Sequence, residues 1–202
     1  MASKQWLSRQ ASDPYVKKAR SEGYRARAAY KLIELDERDH FLKPGQRIVD
    51  LGAAPGSWSQ VAVRRPGRKG RIVALDILAM EPIEGVEFLH GDFREAEVLE
   101  QLESLIGERV DLVLSDMAPN ISGIAASDQA RSMHLAELAL EFAREWLDKN
   151  GTFVVKLFHG EGFDDFVRHA RREFANVRLR KPEASRKKSR EVYLVADSRR
   201  SG

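Results

Sequence analysis

The stretch Arg47-Ile48-Val49-Asp50-Leu51-Gly52-Ala53-Ala54-Pro55-Gly56-Ser57-Trp58 decides the fold of this chain. An apolar run ends in a turn of small residues and a helical pattern follows, which predicts a strand, a turn and a helix. In α/β folds a nucleotide-like cofactor binds at such a junction. The dinucleotide motif G-x-G-x-x-G is absent, because Gly52 and Gly56 are four residues apart and Pro55 lacks an N–H. The spacing favours a cofactor without phosphates, such as S-adenosylmethionine (SAM), with a structural turn as the alternative.

Length and composition exclude several classes of protein. The 202 residues, 43% of them hydrophobic, fit one globular domain. The absence of cysteine rules out a disulfide framework and a thiolate zinc site, and we expect no metal. No apolar run approaches the roughly 20 residues that span a bilayer. Residues 1–6 lack the apolar core of a signal peptide, so we expect a cytoplasmic protein without a membrane partner.

Basic residues gather near both ends of the chain, although the net charge is only +3. They are concentrated in residues 17–31 and 178–190. If folding brings the two runs together, they form a basic surface for a polyanion such as RNA; two separate solvated faces are the alternative. Three tyrosines of the first run either stack on bases or belong to the core: Tyr15, Tyr24 and Tyr30.

Strand and helix patterns alternate after a helical N-terminal segment. Strands are predicted at residues 47–51, 71–76, 86–89, 110–115, 152–157, 177–180 and 191–196. Helices are predicted at residues 58–64, 95–106, 128–147 and 163–174. This alternation predicts an α/β fold with parallel strands and right-handed crossovers.

Acidic residues follow three of the predicted strands, where open parallel sheets bind their ligands. Asp76 closes the second strand, Asp92 follows the third and Asp116 closes the fourth. Asp76 stands 20 residues after Gly56, where an acid commonly meets ribose hydroxyls. Each acid alone is equally typical of a turn or a helix cap. Together they indicate a cofactor site at this edge.

Lys156 lies inside the otherwise apolar run of residues 153–158. A buried ammonium is costly unless it is paired, and a lysine in such surroundings suits proton transfer. A lysine that reaches solvent at the strand end is the alternative. If the last strand is antiparallel, its first residue, Glu191, lies at the same edge as Lys156 and Asp116.

Five ordered motifs resemble the FtsJ/RrmJ-type ribosomal RNA 2′-O-methyltransferases (the RlmE family). They lie at residues 50–60, 91–94, 115–120, 154–163 and 185–193. The resemblance covers residues 6–196 and implies a Rossmann-like class I SAM-dependent methyltransferase fold, with a seven-stranded, mostly parallel sheet, an antiparallel last strand and helices on both faces. It also implies methylation of a uridine ribose in 23S rRNA. Ser57 departs from the family, many of whose members carry Gly there.

Position by position, the resemblance assigns roles to eight residues. It implies a catalytic tetrad of Lys31, Asp116, Lys156 and Glu191. It implies cofactor contacts at Gly56, Trp58, Asp76, Asp92 and Asp116. Within this scheme we expect Lys156 to accept the proton of the ribose 2′-hydroxyl while Asp116 orients it. Lys31 and Glu191 then position the ribose.

Other classes of protein share parts of this pattern. A nicotinamide oxidoreductase has the same sheet but needs the missing glycine triplet. A non-catalytic RNA-binding factor of ribosome assembly, or a methyltransferase for tRNA or mRNA caps, also stays open.

We expect a monomer that acts on 23S rRNA within the 50S subunit. One methyltransferase domain is predicted over residues 1–202, with a basic helical segment at 1–45, a catalytic core at 46–197 and a disordered tail at 198–202.

Overall fold

The computed structural model describes residues 13–64 and 70–200, which form six helices and a seven-stranded sheet. The strands are β1 (Arg47–Leu51), β2 (Arg71–Asp76), β3 (Val86–His90), β4 (Val110–Ser115), β5 (Leu147–Phe158), β6 (Phe174–Arg180) and β7 (Glu191–Arg199). The helices are α1 (Pro14–Ser21), α2 (Ala29–Asp39), α3 (Ser57–Arg64), α4 (Ala96–Ile106), α5 (Ala125–Trp146) and α6 (Phe163–Glu173).

The strands lie in the order β3-β2-β1-β4-β5-β7-β6. Strands β1 to β5 pair in parallel, whereas β7 runs antiparallel to both of its neighbours, β5 and β6. Phe158 at the end of β5 pairs with Glu191 at the start of β7. The predicted α/β fold with an antiparallel last strand is therefore confirmed, and Glu191 lies at the carboxyl edge of the parallel strands.

The strand order reverses beside β1, which pairs with β2 on one side and β4 on the other. Leu51, the last residue of β1, is the register partner of both Leu75 and Ser115. The ends of these three strands therefore lie side by side. Such a switch point opens a crevice beyond the carboxyl ends, where ligands of open α/β sheets bind.

Helices cover both faces of the sheet, because the strands are apolar on both faces. Successive residues of β1 show this: Val49 packs in a core with α4, α5 and α6, and Ile48 packs in a second core with α2 and α3. Both side chains are fully buried. Burial of a side chain of this size contributes about 2 kcal/mol to the stability of the fold. The two cores therefore keep the sheet fixed beneath the site.

Several element boundaries differ from the sequence-based ones, and the shifts of three or more residues lie at the starts of α5, β5 and β6 and at the end of β7. Helix α5 ends at Trp146, and β5 begins at Leu147 because Leu147 pairs with Val110, before a register irregularity. Strand β7 continues to Arg199 because Arg199 pairs with Phe174, so residues 198–199 are strand and not the predicted tail. Residues 1–12, 65–69 and 201–202 lie outside the described residues. The division of the chain into segment, core and tail stays a prediction.

Candidate active site at the carboxyl edge of the sheet

The turn after β1 approaches the end of β4 more closely than a side chain permits. Gly52 has a φ of +76°, and a Cβ atom on it would lie 2.8 Å from the backbone nitrogen of Met117. Gly56 has a φ of +105°. Only glycine adopts such angles without strain. The two glycines thus let the backbone itself form one wall of the crevice.

Asp76 at the end of β2 ties this turn to the segment that follows β2. Its carboxylate accepts hydrogen bonds from the backbone N–H of Ala54 at 2.9 Å and of Leu78 at 2.8 Å. The residue is only 9% exposed. Each carboxylate oxygen can accept a second hydrogen bond, so Asp76 both fixes the turn and can still bind a ligand.

A cavity of about 620 Å³ lies over the ends of β1, β2, β3 and β4. Three of the predicted cofactor residues line it: Asp76, Asp92 and Asp116. Basic side chains line it as well: Arg94, Arg131 and His134. Such a volume is typical of small-molecule sites. The acidic lining suits a ligand that carries hydroxyl, amino or cationic groups.

Asp92 enters the cavity as an ionised carboxylate. Its side chain forms an ion pair with Arg94 at 2.5 Å and accepts a hydrogen bond from the Arg94 backbone N–H at 3.0 Å. These hydrogen bonds, led by that from the guanidinium, lower the pKa of Asp92 below its ordinary value. The acid therefore stays an acceptor at neutral pH.

The other two predicted cofactor residues, Gly56 and Trp58, are not among the cavity-lining residues. The Trp58 indole is buried, packs 5.6 Å from the Tyr193 ring and donates from Nε1 to the carbonyl oxygen of Ala28 at 2.9 Å. Its backbone N–H lies in the first turn of α3, where N–H groups have no partner within the helix. Trp58 can therefore reach a ligand through its backbone only.

Two polar atoms without partners lie beneath the turn. Asp50 is fully buried; its Oδ2 accepts from the Ser59 hydroxyl at 2.6 Å, and its Oδ1 has no partner. The buried Ser57 hydroxyl has none either. Burial raises the pKa of Asp50 to about 7, against the Ser59 hydrogen bond and with the help of nearby Asp116. Unsatisfied buried polar groups are costly, so these atoms fit a turn that binds a polar ligand.

Asp50 has no role among the sequence-based predictions. A signal was present, since Asp50 is an acid between the apolar residues Val49 and Leu51 of β1. A carboxyl group is rarely fully buried unless it serves the fold or a site.

Lys156 is held by Asp116 through two oxygens. Its Nζ lies 2.6 Å from the Asp116 carbonyl oxygen and 3.1 Å from the carboxylate Oδ1. The Tyr193 hydroxyl donates to the same Oδ1 at 2.8 Å. The Lys156 side chain is only 8% exposed, so it is a paired, buried lysine and not one that reaches solvent.

Tyr193 is a site residue that the sequence analysis missed. It is fully buried, and burial together with the charge of Asp116 raises its pKa well above the usual value. Tyr193 therefore stays a neutral donor that orients the Asp116 carboxylate. It is the register partner of Lys156 on β7, a relation that follows from strand pairing and not from either motif alone.

Lys31 and Glu191 form a second ion pair. Lys31 Nζ, from α2, lies 2.7 Å from Glu191 Oε1. The two side chains are 14% and 11% exposed. Lys31 Nζ also lies 5.8 Å from the centre of the Tyr193 ring, which in turn contacts Asp116. The four residues predicted to form the tetrad are thus brought together as two ion pairs linked by Tyr193.

The two basic runs of the sequence also come together. The Arg27 guanidinium contacts the carbonyl oxygen of Ala184, and the Ala184 N–H donates to Glu34 at 3.1 Å. The exposed basic residues of the joined runs are Lys17, Lys18, Arg20, Lys181, Arg186, Lys187, Lys188 and Arg190. The loop that carries the second run leads directly into Glu191. This basic surface therefore adjoins the Lys31–Glu191 ion pair.

The tyrosines of the first run belong to the packing and not to this surface. The rings of Tyr15 and Tyr24 lie 5.5 and 5.8 Å from the ring of Tyr30, and Tyr30 is buried against Ala19 and Ala184. This arrangement supports their role in a small core between the two basic runs and leaves base stacking by these rings without support.

Two negative findings concern the described part of the chain. Within residues 13–64 and 70–200, there is no group of three or more His, Asp or Glu side chains that could hold a metal ion. Over the same residues, no helix combines the length and the apolar character that a membrane span requires.

The sheet order, the one reversed strand and the acid-lined cavity after β1 define a methyltransferase-type α/β protein. The family model described as FtsJ-like methyltransferase matches residues 24–199, and the chain belongs to this family. The predicted family and fold are thereby confirmed. Enzymes of a methyltransferase family require a methyl donor.

Relatives and solved structures agree with this assignment. The chain is 61% identical, over 99% of its length and 96% of the relative's, to ribosomal RNA large subunit methyltransferase E of Stenotrophomonas maltophilia. It is 60% identical, over 98% and 97% of the two chains, to the protein of that name from Methylobacillus flagellatus. A crystal structure from Plasmodium falciparum, whose name marks it as a proposed ribosomal RNA methyltransferase, has a TM-score of 0.78 and 33% identity over 87% of this chain and 98% of that one.

Proposed function

We propose that this protein transfers a methyl group from SAM to the 2′-oxygen of a uridine ribose in 23S rRNA. One observation carries the proposal: Asp116 lines the acid-lined cavity and at the same time holds Lys156. A donor in the cavity and an acceptor beside Lys156 would therefore meet at one residue. The names of the relatives, ribosomal RNA large subunit methyltransferase E, support the choice of RNA.

The donor side fits SAM through its acids and its backbone. SAM supplies an electrophilic methyl group on a positively charged sulfonium, and the sulfur becomes a neutral thioether after transfer. Asp76 and Asp92 would accept hydrogen bonds from the hydroxyl and amino groups of the bound molecule. Gly56 and Trp58 would contribute backbone groups at the turn. Ser57, where many family members carry Gly, begins α3 directly after the turn, and its buried hydroxyl has no partner.

On the acceptor side, Lys156 would accept the proton of the ribose 2′-hydroxyl. The Lys156 ammonium would first release one proton to solvent; the neutral amine then has two N–H bonds, which the two Asp116 oxygens accept, and its lone pair is left for the ribose hydroxyl. The O–H bond breaks, the proton moves to Nζ, and the oxygen electron pair forms the new O–C bond as the C–S bond breaks. Lys31 and Glu191 would hold the ribose by hydrogen bonds. Alignment of the two reactants supplies most of the rate.

The joined basic runs would bind the RNA backbone. Exposed lysines and arginines attract phosphates and release counterions, so binding should weaken steeply with salt. Lys181 sits at the junction with the site, because its Nζ donates to the carbonyl oxygen of Glu191 at 2.9 Å. We propose that the substrate is the rRNA within the 50S particle, that the enzyme acts as a monomer and that it works in the cytoplasm.

Methylation mapping tests the proposal. The protein is incubated with methyl-labelled SAM and, in parallel, with 50S particles from cells that lack it, free 23S rRNA, tRNA and capped mRNA. We expect label at one uridine 2′-oxygen of 23S rRNA, and more of it in the 50S particle. RNA binding without transfer would indicate an assembly factor. Binding of NADH and not of SAM by calorimetry would indicate an oxidoreductase.

A further inference from the structure

Arg25 binds backbone carbonyls from two separate parts of the chain. Its Nη1 donates to the carbonyl oxygen of Pro55 at 2.9 Å and to that of Glu81 at 2.6 Å. Its Nη2 donates to the carbonyl oxygen of Pro82 at 2.8 Å. Pro55 belongs to the turn after β1, and residues 81–82 belong to the segment after β2. One guanidinium therefore connects two walls of the site.

The backbone around Arg25 is itself fixed to α3. The Arg25 N–H donates to the Gln60 side chain at 2.9 Å, and Gln60 donates back to the carbonyl oxygen of Gly23 at 3.0 Å. Arg64 donates to the carbonyl oxygen of Glu22 at 3.3 Å. Since α3 begins directly after the turn, the guanidinium has a rigid base from which to hold the turn.

The packing around Gly56 shows how closely these parts meet. A Cβ atom on Gly56 would lie 3.0 Å from Arg25 Nη1 and 2.6 Å from Ile83 Cδ1. The segment that contributes Ile83 also contributes Ile77 and Leu78 to the cavity lining. A side chain at this position would therefore have to displace the ends of the Ile83, Met80 and Arg25 side chains.

We propose that Arg25 is a positioning residue for the methyl donor. It fixes the turn against the 77–83 segment before the donor binds, so that binding does not have to order either wall. This inference rests on the proposed function, because it takes the donor to be SAM. In the sequence Arg25 belongs to a basic run that suggests RNA contact, but its three carbonyl partners place it on the donor side.

Two substitutions and one matched control test the role of Arg25. Arg25→Gln removes the charge and most of the donors, and Arg25→Lys keeps the charge with a single donor group. Arg20→Gln changes an exposed arginine of the same basic run. SAM affinity is measured by calorimetry without RNA, and kcat, the KM for SAM and the KM for the 50S particle are measured in the methylation assay.

We expect the SAM Kd to rise about tenfold in Arg25→Gln and by less in Arg25→Lys, and to change less than twofold in Arg20→Gln. The KM for SAM should rise in parallel, while kcat at saturating SAM changes less than twofold. A general folding defect would instead lower kcat through a smaller active fraction. If Arg25→Gln unfolds at the assay temperature, the Arg25→Lys titration decides.

Unchanged SAM affinity in both Arg25 variants, with a raised KM for the 50S particle, would overturn the inference and make Arg25 a phosphate contact. The proposed function is tested separately by the wild-type titration. A wild-type chain that binds no SAM contradicts the proposed function itself, whereas a wild-type chain that binds SAM as tightly as its Arg25 variants contradicts only the role of Arg25.

Discussion

The proposed donor half and the proposed acceptor half of the site share one sheet edge but are built in different ways. The donor half consists mainly of backbone: a turn with Gly52 and Gly56 at positive φ, held by the Asp76 carboxylate. The acceptor half consists of charged side chains that are buried in pairs, Lys156 with Asp116 and Lys31 with Glu191.

This difference separates binding from chemistry. A backbone wall recognises a ligand by shape and by fixed hydrogen bonds, so damage to it should change donor affinity. Buried ion pairs hold reactive groups in place, so damage to them should change turnover and spare donor binding. Asp116 belongs to both halves and is the point at which the two effects should meet.

Lys156→Ala should give the largest effect, on the acceptor side alone. Loss of a general base costs about 10² to 10⁴ in rate. We expect single-turnover methylation of the 50S particle to fall by about a thousandfold, while the SAM Kd changes less than twofold. Rapid-quench assays measure the first quantity and calorimetry the second.

Two companion variants show what kind of group Lys156 is. Lys156→Arg keeps a positive charge but cannot release a proton, so it should be as inactive as Lys156→Ala if the amine accepts the proton. Lys149→Ala removes an exposed lysine at the other end of the same strand and should behave as wild type. Substantial activity in Lys156→Arg would show that charge, and not proton transfer, is what the site needs.

Gly52→Ala should break the donor half. A Cβ atom there meets the Met117 backbone at 2.8 Å at a φ of +76°, so we expect a loss of about 3 kcal/mol in unfolding free energy from strain and overpacking. The SAM Kd should rise at least about tenfold, which is about 1.4 kcal/mol. Urea unfolding and calorimetry measure the two.

Gly45→Ala is the matched control for the strain that a side chain causes at positive φ, apart from any overpacking. Gly45 has nearly the same φ, +78°, but nothing lies within 4 Å of a Cβ atom on it. It should lose only about 1 kcal/mol and keep its SAM affinity. Equal losses in the two variants would contradict the view that the close approach of Gly52 to Met117 shapes the donor half.

Asp50 gives a pH-dependent effect on stability beneath the donor turn. Its pKa of about 7 in the folded protein exceeds the ordinary value of 3.8, so between these values the folded protein holds a proton that the unfolded chain releases. This contribution to stability falls as the pH rises, by about 1.4 kcal/mol per pH unit, and levels off above pH 7. Asp50→Asn should abolish it.

Urea unfolding at pH 5, 6, 7 and 8 measures this contribution. Relative to wild type, Asp50→Asn should gain stability from pH 5 to 7 and then stay level. Asp164→Asn, which removes an exposed carboxylate, controls for the loss of one acid. A wild-type to Asp50→Asn difference that does not vary with pH would contradict the raised pKa.

The features assigned to the donor half are easier to recognise in the sequence than those of the acceptor half, because their signals are local, although the roles of these residues stay predictions. The turn at residues 52–56 and the acids that end or follow the strands stand in short stretches of sequence, and the structure places Asp76 and Asp92 on the cavity. The acceptor half depends on pairing across the fold. Glu191 reaches the edge only because β7 is antiparallel, which the sequence allowed but did not require.

Residues whose roles depend on tertiary contacts were missed or placed differently. Tyr193 acts through its register with Lys156, and Arg25 acts through carbonyls of two distant loops. A motif gives the residue type but not whether its side chain or its backbone faces the ligand. Trp58 is the clearest case, since its indole lies in the core.

Trp58→Phe should give the smallest effect and locate the boundary between the halves. The substitution keeps a ring against Tyr193 but removes the hydrogen bond to the Ala28 carbonyl, so we expect a loss of about 1 kcal/mol in unfolding free energy. SAM affinity, measured by calorimetry, should change less than twofold if Trp58 serves the donor through its backbone only. A tenfold rise in Kd would instead assign the indole to the donor half. Because the indole packs on Tyr193, which donates to Asp116, a fall in turnover with unchanged SAM affinity would assign the effect to this contact and not to donor binding.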